Sequence, residues 1–227
     1  MISSLMEECE MSGTRNVISR ACRGLVASAM TTLLITGQLP AAPRDTASTK
    51  TVQNLETALN GERNAHTRYL AFAQKADEEG YGAVASLFRA TAAAEEVHGN
   101  NHEGTIHKLG ATPNVSMEAP AVKSTRENLE TAINGENYEF QKMYPDFVAQ
   151  AQQDAYAPAV VTLTQAQNTE VEHAKFFADA LKNLDGLQGS SAHTYYVCTV
   201  CGFTTVDLNF AKCKNCFKPK EKYKAVS

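Results

Sequence analysis

Residues 54–62 read NLETALNGE and residues 128–136 read NLETAINGE, eight identities in nine at an offset of 74. Downstream, the pair Glu95 and His98 returns as Glu170 and His173 at an offset of 75. Each half of the body therefore carries a Glu on one segment and E-x-x-H on the next. Two matched offsets in succession mark an internal duplication, and the duplication organises everything around it.

Apolar spacing turns these segments into helices. Leu55, Ala58, Leu59, Glu62, Ala65, Tyr69 and Phe72 recur at i, i+3, i+4 and i+7, as do Val84, Phe88, Thr91, Glu95, His98, His102 and Leu109. The second half repeats the pattern with Leu129, Ile133, Glu136, Glu139, Met143 and Phe147, then with Val160, Leu163, Gln167, Glu170, His173, Phe177 and Leu181. The spacing predicts helices over 51–79, 82–109, 124–152 and 157–184, separated by Gly80 and Gly82 in one half and by Asp154 and Pro158 in the other. Between the halves, residues 110–123 hold Pro113 and Pro120 and no helical period. Fourteen extended residues reach roughly 46 Å, more than the ~40 Å of a 27-residue helix, so this segment can cross the whole bundle. The expected fold is mainly α: a ferritin-like antiparallel four-helix bundle with one long crossover.

Glu62, Glu95, Glu136, Glu139 and Glu170 lie on the apolar stripes near mid-helix, where an unpaired ionised carboxylate costs several kcal/mol. No Lys or Arg shares those stripes nearby. Two divalent cations held by carboxylates and one imidazole each, as Fe or Mn prefer, would neutralise the cluster. E-x-x-H suits this because side chains at i and i+3 share a face. Any single E-x-x-H is an ordinary feature of a solvated helix, and the paired copies are what give the motif weight. His102 and His107 have no duplicates and read as ordinary polar residues, and Glu96 and Glu172 point to solvent. Glu139 has no partner either, since its repeat counterpart is Ala65. Tyr69 and Tyr138 are candidates to donate hydrogen bonds near the site, against the plainer reading of packed core tyrosines.

After a Gly/Ser-rich linker over 186–193 the chain reads YYVCTVCGFTTVDLNFAKCKNCFKPKEKY. Cys198-x-x-Cys201 and Cys213-x-x-Cys216 supply four thiolates to one tetrahedral ion, and an S4 site accepts Zn or Fe. Tyr195, Tyr196, Phe203, Phe210, Phe217 and Tyr223 offer this short module some core, with the metal supplying much of its stability. The expected division is thus 1–50 as an N-terminal extension, 51–185 as the bundle, 186–193 as linker and 194–227 as a small C-terminal metal-binding β module.

Composition excludes several classes. The chain has 227 residues, 43% of them apolar, and a formal charge of −4, and its moderate hydrophobicity argues against intrinsic disorder. No apolar run reaches the roughly 20 residues of a membrane span. Six Cys, four of them clustered at the C-terminus, do not make a disulfide scaffold. Residues 51–193 carry 19 acids against 10 bases, whereas 194–227 carry six lysines against Asp207 and Glu221. Metal-bound thiolates subtract from that positive tail, so nucleic acid is not an expected partner. Arg15, Arg20 and Arg23 precede the apolar run 25–37, which leads to Pro40 and Pro43. That outline predicts a secretory leader, a mature chain beginning near residue 43 and a periplasmic or exported protein. Glu7, Glu8 and Glu10 depart from the pattern unless translation starts at Met11, and the alternative is a disordered or organelle-directed extension of a cytoplasmic protein. Cys9 and Cys22 receive no role.

Taken together, NGE-x-N-A-x-x-R-Y at 60–69, E-x-x-H at Glu95, GE-x-Y-E at 135–139, E-x-E-H-A at 170–174 and the tail cysteines resemble the rubrerythrin family over residues 51–227. The resemblance implies a ferritin-like bundle with a non-haem di-iron centre, a rubredoxin-like tail with a mononuclear Fe(Cys)4 centre, and reduction of hydrogen peroxide to water in oxidative stress defence. By position it implies the di-iron ligands Glu62, Glu95, His98, Glu136, Glu139, Glu170 and His173, the same seven residues being the catalytic set. One iron is expected to exchange Glu139 for His98 on reduction. The resemblance further implies a head-to-tail homodimer that sets one subunit's tail beside the other's bundle, with electrons from an unidentified reductase or small electron carrier. The acidic body and basic tail favour such docking. The tail departs from the family pattern at Lys214, where Pro is usual, and at Phe217, where a small residue is usual. Competing expectations are an iron-oxidising storage protein on the same bundle, and a di-iron oxidase whose tail is a structural zinc ribbon.

Overall fold

Two helical hairpins, built alike, make up the body of the chain. The structure, a computed structural model, describes residues 50–227, so the leader-like segment with Cys9 and Cys22 lies outside the described residues. Helix α1 spans Lys50–Glu78 and α2 spans Gly82–Lys108. The second hairpin consists of α3 (Thr125–Tyr138), a π-helical segment (Glu139–Met143), α4 (Tyr144–Gln153) and α5 (Ala157–Lys182). The third expected helix therefore exists but is not continuous.

Its interruption has a countable cause. Glu62 and Glu136 are 74 residues apart, whereas Tyr69 and Tyr144 are 75 apart. One residue has been added between 136 and 144, and the wide π turns at 139–143 absorb it, as single-turn π segments do elsewhere. Beyond it the offset stays at 75. Gly80, at φ +82°, ends α1 with bonds from Tyr81 N to Ala76 O and from Gly80 N to Asp77 O. Ala155 takes the same role after α4 at φ +57°, with Tyr156 N bonded to Ala151 O and Ala155 N to Gln152 O.

The long connection runs between the hairpins as the sequence predicts. Residues 111–124 contain no helix, and they are held along α1 by two asparagines. Asn60 bonds Asn114 O and Ser116 N, and Asn64 bonds Ser116 O and Glu118 N, at 2.6 to 2.9 Å. Each amide thus both donates to and accepts from an extended backbone. Ser124 then caps α3 reciprocally with Glu127. Two apolar clusters flank the centre of the bundle: Tyr69, Phe72, Phe88 and Phe177 on one side, Leu55, Leu59, Ile106 and Leu163 on the other.

The tail is a three-stranded antiparallel sheet in the order β2–β1–β3, from Thr204–Thr205, Tyr195–Cys198 and Tyr223–Val226. Its approach is pinned. Gly189 N bonds Gly80 O at 2.8 Å, Ala83 N bonds Ser190 Oγ and His193 N bonds Ser86 Oγ, so the linker lies strapped over the α1–α2 turn. Val197 packs with Ala90 and Ala94 of α2. Phe217, expected in the module's core, is 72% exposed, because φ +59° at that residue turns it outward after Cys216.

Candidate metal centres

Six of the seven expected bundle ligands meet at one level between the hairpins. Glu62 comes from α1, Glu95 and His98 from α2, Glu136 from α3, and Glu170 and His173 from α5, all buried. Three residues separate the Glu and His of each pair, so both side chains face inward from one helix. Their donor atoms form two clusters, Glu62, Glu95, His98 and Glu170, then Glu95, Glu136, Glu170 and His173, each within 4.8 Å. Glu95 and Glu170 belong to both. His98 Nδ1 lies 3.0 Å from Glu95 and 3.0 Å from Glu170, and His173 Nδ1 lies 2.7 Å from Glu170 and 3.5 Å from Glu95. Two bridging carboxylates, with one terminal Glu and one His on each side, is the donor set of a paired-metal site.

The fit to metal shows in what hydrogen bonding leaves undone. Glu62 Oε2, Glu95 Oε1, Glu136 Oε2, both oxygens of Glu170 and His173 Nδ1 are buried, and although some lie within ion-pair distance of one another, none has a contact with hydrogen-bond geometry. Buried polar atoms of this kind are normally paired, and cations between the carboxylates would pair them all. Without metal the cluster redistributes protons. Burial and the neighbouring carboxylates push Glu95 well above the usual carboxylate range, and burial pushes Glu136 up to about 7. Burial alone would lower His98 and His173, yet Glu170 and its neighbours lift both well above an ordinary imidazole.

Two tyrosines complete the cluster. Tyr69 donates to Glu136 and Tyr144 donates to Glu62, so each hairpin's Tyr holds the other hairpin's ligand. Burial and the carboxylates raise both phenols well above their normal range, which keeps them protonated donors. The expectation for Tyr69 holds. Tyr138 is a correction: it is 55% exposed, because it ends α3 on the outer face. Tyr144 is missed by a reading that carries the first-half offset past the extra residue. His102 is likewise not an ordinary surface residue, since it is fully buried with Nε2 3.1 Å from Tyr144 Oη. His107 is exposed, as expected.

Glu139 stands apart. It opens the π segment, is half-buried, and lies outside both four-residue clusters. Gly61 of α1 leaves it room, with Glu139 Oε1 3.9 Å from where a β-carbon on Gly61 would sit. Burial and the carboxylates of Glu62 and Glu136 push it well above its ordinary range. The conformation is the one in which His98, and not Glu139, faces the shared carboxylates.

In the tail, Cys198, Cys201, Cys213 and Cys216 gather into a single group. Cys198 Sγ and Cys216 Sγ are 3.7 Å apart, Cys201 Sγ and Cys213 Sγ 3.6 Å. Thiolates at the corners of a tetrahedron with ~2.3 Å metal bonds stand about 3.8 Å apart, so the site is shaped for one ion.

The two centres are joined through the bundle histidines. His98 Nε2 lies 3.2 Å from Cys201 O, and His173 Nε2 lies 3.1 Å from Thr204 Oγ1. Each imidazole thus turns one nitrogen to the carboxylates and the other to the tail, the outer bond fixing the ring's orientation. Asn101 bonds Val200 O, and Asn215, inside the second cysteine loop, bonds Gln165 O at 2.7 Å. Among the described residues no ion pair crosses this seam, so amides and imidazoles, not the opposite charges of body and tail, make the contact. The closeness expected from a head-to-tail pair is present within one chain.

Known proteins agree with this geometry. The rubrerythrin family model matches residues 53–181. Nigerythrin of Nitratidesulfovibrio vulgaris is 36% identical over 81% of this chain and 90% of its own length. Rubrerythrin-2 of Clostridium acetobutylicum is 34% identical over 77% of this chain and 96% of its own. The fully reduced, all-ferrous structure of nigerythrin superposes with a TM-score of 0.71 at 35% identity, covering 82% of this chain and 91% of that one. A bacterioferritin of Desulfovibrio desulfuricans, 18% identical with a TM-score of 0.58 over 63% of this chain and 89% of its own, shares the bundle fold alone. With its duplicated Glu and E-x-x-H helices, its paired-metal carboxylate site and its four-cysteine tail, the chain belongs to the rubrerythrin family of di-iron proteins.

Proposed function

We propose that the protein reduces hydrogen peroxide to two waters, drawing electrons through the tail cysteines from a reductase or small electron carrier. The observation that supports this reading is the 3.2 Å approach of Cys201 O to His98 Nε2, which sets the four-cysteine site against the paired-metal site. Peroxide requires two electrons and two protons to become two waters. With iron bound, the bundle pair would hold both electrons at once and the tetrathiolate centre would restore them singly.

The chain's own residues supply the rest. Glu95 and Glu170 would be shared between two metals, Glu62 with His98 and Glu136 with His173 would complete each side, and Tyr69 and Tyr144 hold hydrogens on the carboxylates of Glu136 and Glu62. The aromatic cluster of Tyr69, Phe72, Phe88 and Phe177 keeps water from one flank. Glu139, close by in the π segment, is the proposed exchange partner of His98. A zinc ribbon in the tail would hold the fold equally well but carry no electron, and colour separates the two, since oxidised Fe(Cys)4 is red and Zn(Cys)4 colourless. A second copy is not needed for the relay, although a head-to-tail dimer remains part of the proposal for the assembled protein. The test is anaerobic: reduced protein is mixed with peroxide, and the two electrons of each bundle should consume one peroxide, with the tail's electron left over and repeated turnover when a donor is present. No loss of peroxide from iron-loaded protein would refute the reading.

A further inference from the structure

The two hairpins differ in what lies behind their site tyrosines. Tyr69 is backed by apolar residues: the rings of Phe88 and Phe177 stand 5.9 and 5.4 Å from its own, and Leu87 belongs to the same cluster. At the offset of 75, Phe177 corresponds to His102 and Leu87 to Thr162. Two buried apolar residues beside one tyrosine are thus two buried polar residues beside the other. They are not there by indifference of the core, because a buried polar group is costly unless bonded, and these two bond each other. Thr162 Oγ1 is 3.1 Å from His102 Nδ1, and His102 Nε2 is 3.1 Å from Tyr144 Oη.

With a neutral imidazole at His102, a single placement of protons satisfies the whole row. Tyr144 donates to Glu62, which leaves the phenol oxygen to accept. His102 donates to it from Nε2, and the bare Nδ1 accepts from the Thr162 hydroxyl. Every donor then points toward Glu62. At the far end, Thr162 lines a surface cavity of about 530 Å³ with Asn101, Lys108, Gln165 and Val200 of the tail.

We infer that Thr162, His102 and Tyr144 form a one-sided proton route from this cavity to the Glu62 side of the site. The inference rests on the peroxidase reading, which needs two protons at a buried centre. Each passage is a proton shift in which no electron moves. Thr162 Oγ1 takes a proton from cavity water and gives its own to His102 Nδ1. His102 gives the Nε2 proton to Tyr144, and Tyr144 gives its proton to the Glu62 side. One proton enters and one leaves; the passage ends with the hydrogen on His102 Nδ1, and the next passage starts once the imidazole has exchanged it for one on Nε2. No such row stands behind Tyr69, where Phe177 and Leu87 take its place.

The test uses the whole chain, iron-loaded and chemically reduced, mixed with peroxide in a stopped-flow instrument, with iron counted in every variant. Thr162→Val removes the first link and keeps shape. His102→Gln keeps a donor toward Tyr144 and an acceptor toward Thr162, but an amide does not relay a proton. Each should slow peroxide consumption by about tenfold or more and enlarge the solvent deuterium isotope effect, with both irons retained. Rates within about twofold of wild type would overturn the route, leaving His102 a packing residue. Should His102→Gln lose iron, Thr162→Val decides by the same criterion. A second readout needs no turnover: in zinc-loaded protein, the 15N shifts of His102 should show Nε2 protonated and Nδ1 bare, and the opposite tautomer would overturn the row's direction. A wild-type protein that consumed no peroxide would sink the proposed reaction, and the 15N result would still judge the row.

Discussion

Gly202 stands against His98 with no room for a side chain between them. A β-carbon there would run into His98 Nε2 and lie 3.2 Å from Ala94 O, and the residue's φ of +78° disfavours any side chain as well. Gly202→Ala should therefore lift the first cysteine loop off α2 and break the bond from His98 to Cys201 O. The left-handed conformation alone costs about 1–2 kcal/mol. Both metal sites should stay loaded, while reoxidation of the tail by a peroxide-treated bundle slows. Metal counting beside stopped-flow spectroscopy checks this, and an unchanged transfer rate would show that the tail contact at His98 is dispensable.

Replacing Cys198 and Cys201 by Ser should remove the tail metal and leave the bundle's own. In the metal-free tail, hydrogen bonds among the sulfurs and burial raise Cys198 to about 12 and push Cys201 up further, while hydrogen bonds from those two thiols lower Cys213. Metal uptake by the wild-type tail thus releases protons from Cys198 and Cys201, and binding should weaken as pH falls. The double variant should lose turnover with a reductant yet consume one peroxide per reduced bundle. Turnover at the wild-type rate with the same donor would end the relay hypothesis.

Loss of Glu136 and loss of Glu139 should have different signatures. Glu136→Ala strips a terminal ligand from one cluster and the partner of Tyr69, leaving buried groups unpaired, a change that typically costs ~3–5 kcal/mol. Metal occupancy and melting temperature should both fall. Glu139→Ala removes a residue outside both clusters, so two metals should still load, with the cycle slowed if Glu139 trades places with His98. Full activity with two irons in Glu139→Ala would refute the exchange.

Metal-free protein should lose stability as pH rises from 5 to 8. Glu95, Glu136 and Glu139 have raised values, so the folded state keeps protons that the unfolded chain has released, and stability falls as pH climbs toward about 7 for Glu136. His98 and His173 are raised too, and their contribution also fades as pH passes their folded values. Glu62 and Glu170, where burial is outweighed by the histidines, are lowered, and their contribution disappears only as pH drops below the ordinary carboxylate range. Every shift that acts between pH 5 and 8 therefore acts in the same direction. Chemical denaturation of chelator-treated protein at both pH values checks the sign, and metal loading should flatten or reverse the trend.

The helical hairpins, the crossover and six bundle ligands were legible because burying a carboxylate in an apolar stripe leaves a trace that no solvated face imitates. Glu62, Glu95, Glu136 and Glu170 each break an otherwise hydrophobic period. Tyr144 escaped because its polar atom is one hydroxyl on a residue that any core accepts, and because the extra residue hides its kinship with Tyr69. The offsets held the clue, 74 at Glu136 and 75 at Glu170, which require one added residue between them. His102 was illegible for another reason. A single buried His on an apolar stripe acquires its meaning from Tyr144 and Thr162, which lie 42 and 60 positions away. The docking of the tail on its own bundle left no pattern either, since its bonds join backbone carbonyls and one Thr hydroxyl to two asparagines and two imidazoles that follow no period or charge pattern.

The π segment also shows what one chain can hold that two copies could not. Either hairpin offers one terminal Glu, one shared Glu and one His, which is half of what two metals require. Two identical hairpins related by a twofold axis would close such a site, and in that pair every substitution would strike both metals at once. Here residues 111–124 join hairpins that differ, and the second alone holds the extra residue that the π turns absorb. At the start of those turns stands Glu139, whose counterpart in the first hairpin is Ala65. The lopsidedness of the centre is one that a pair of identical hairpins could not sustain.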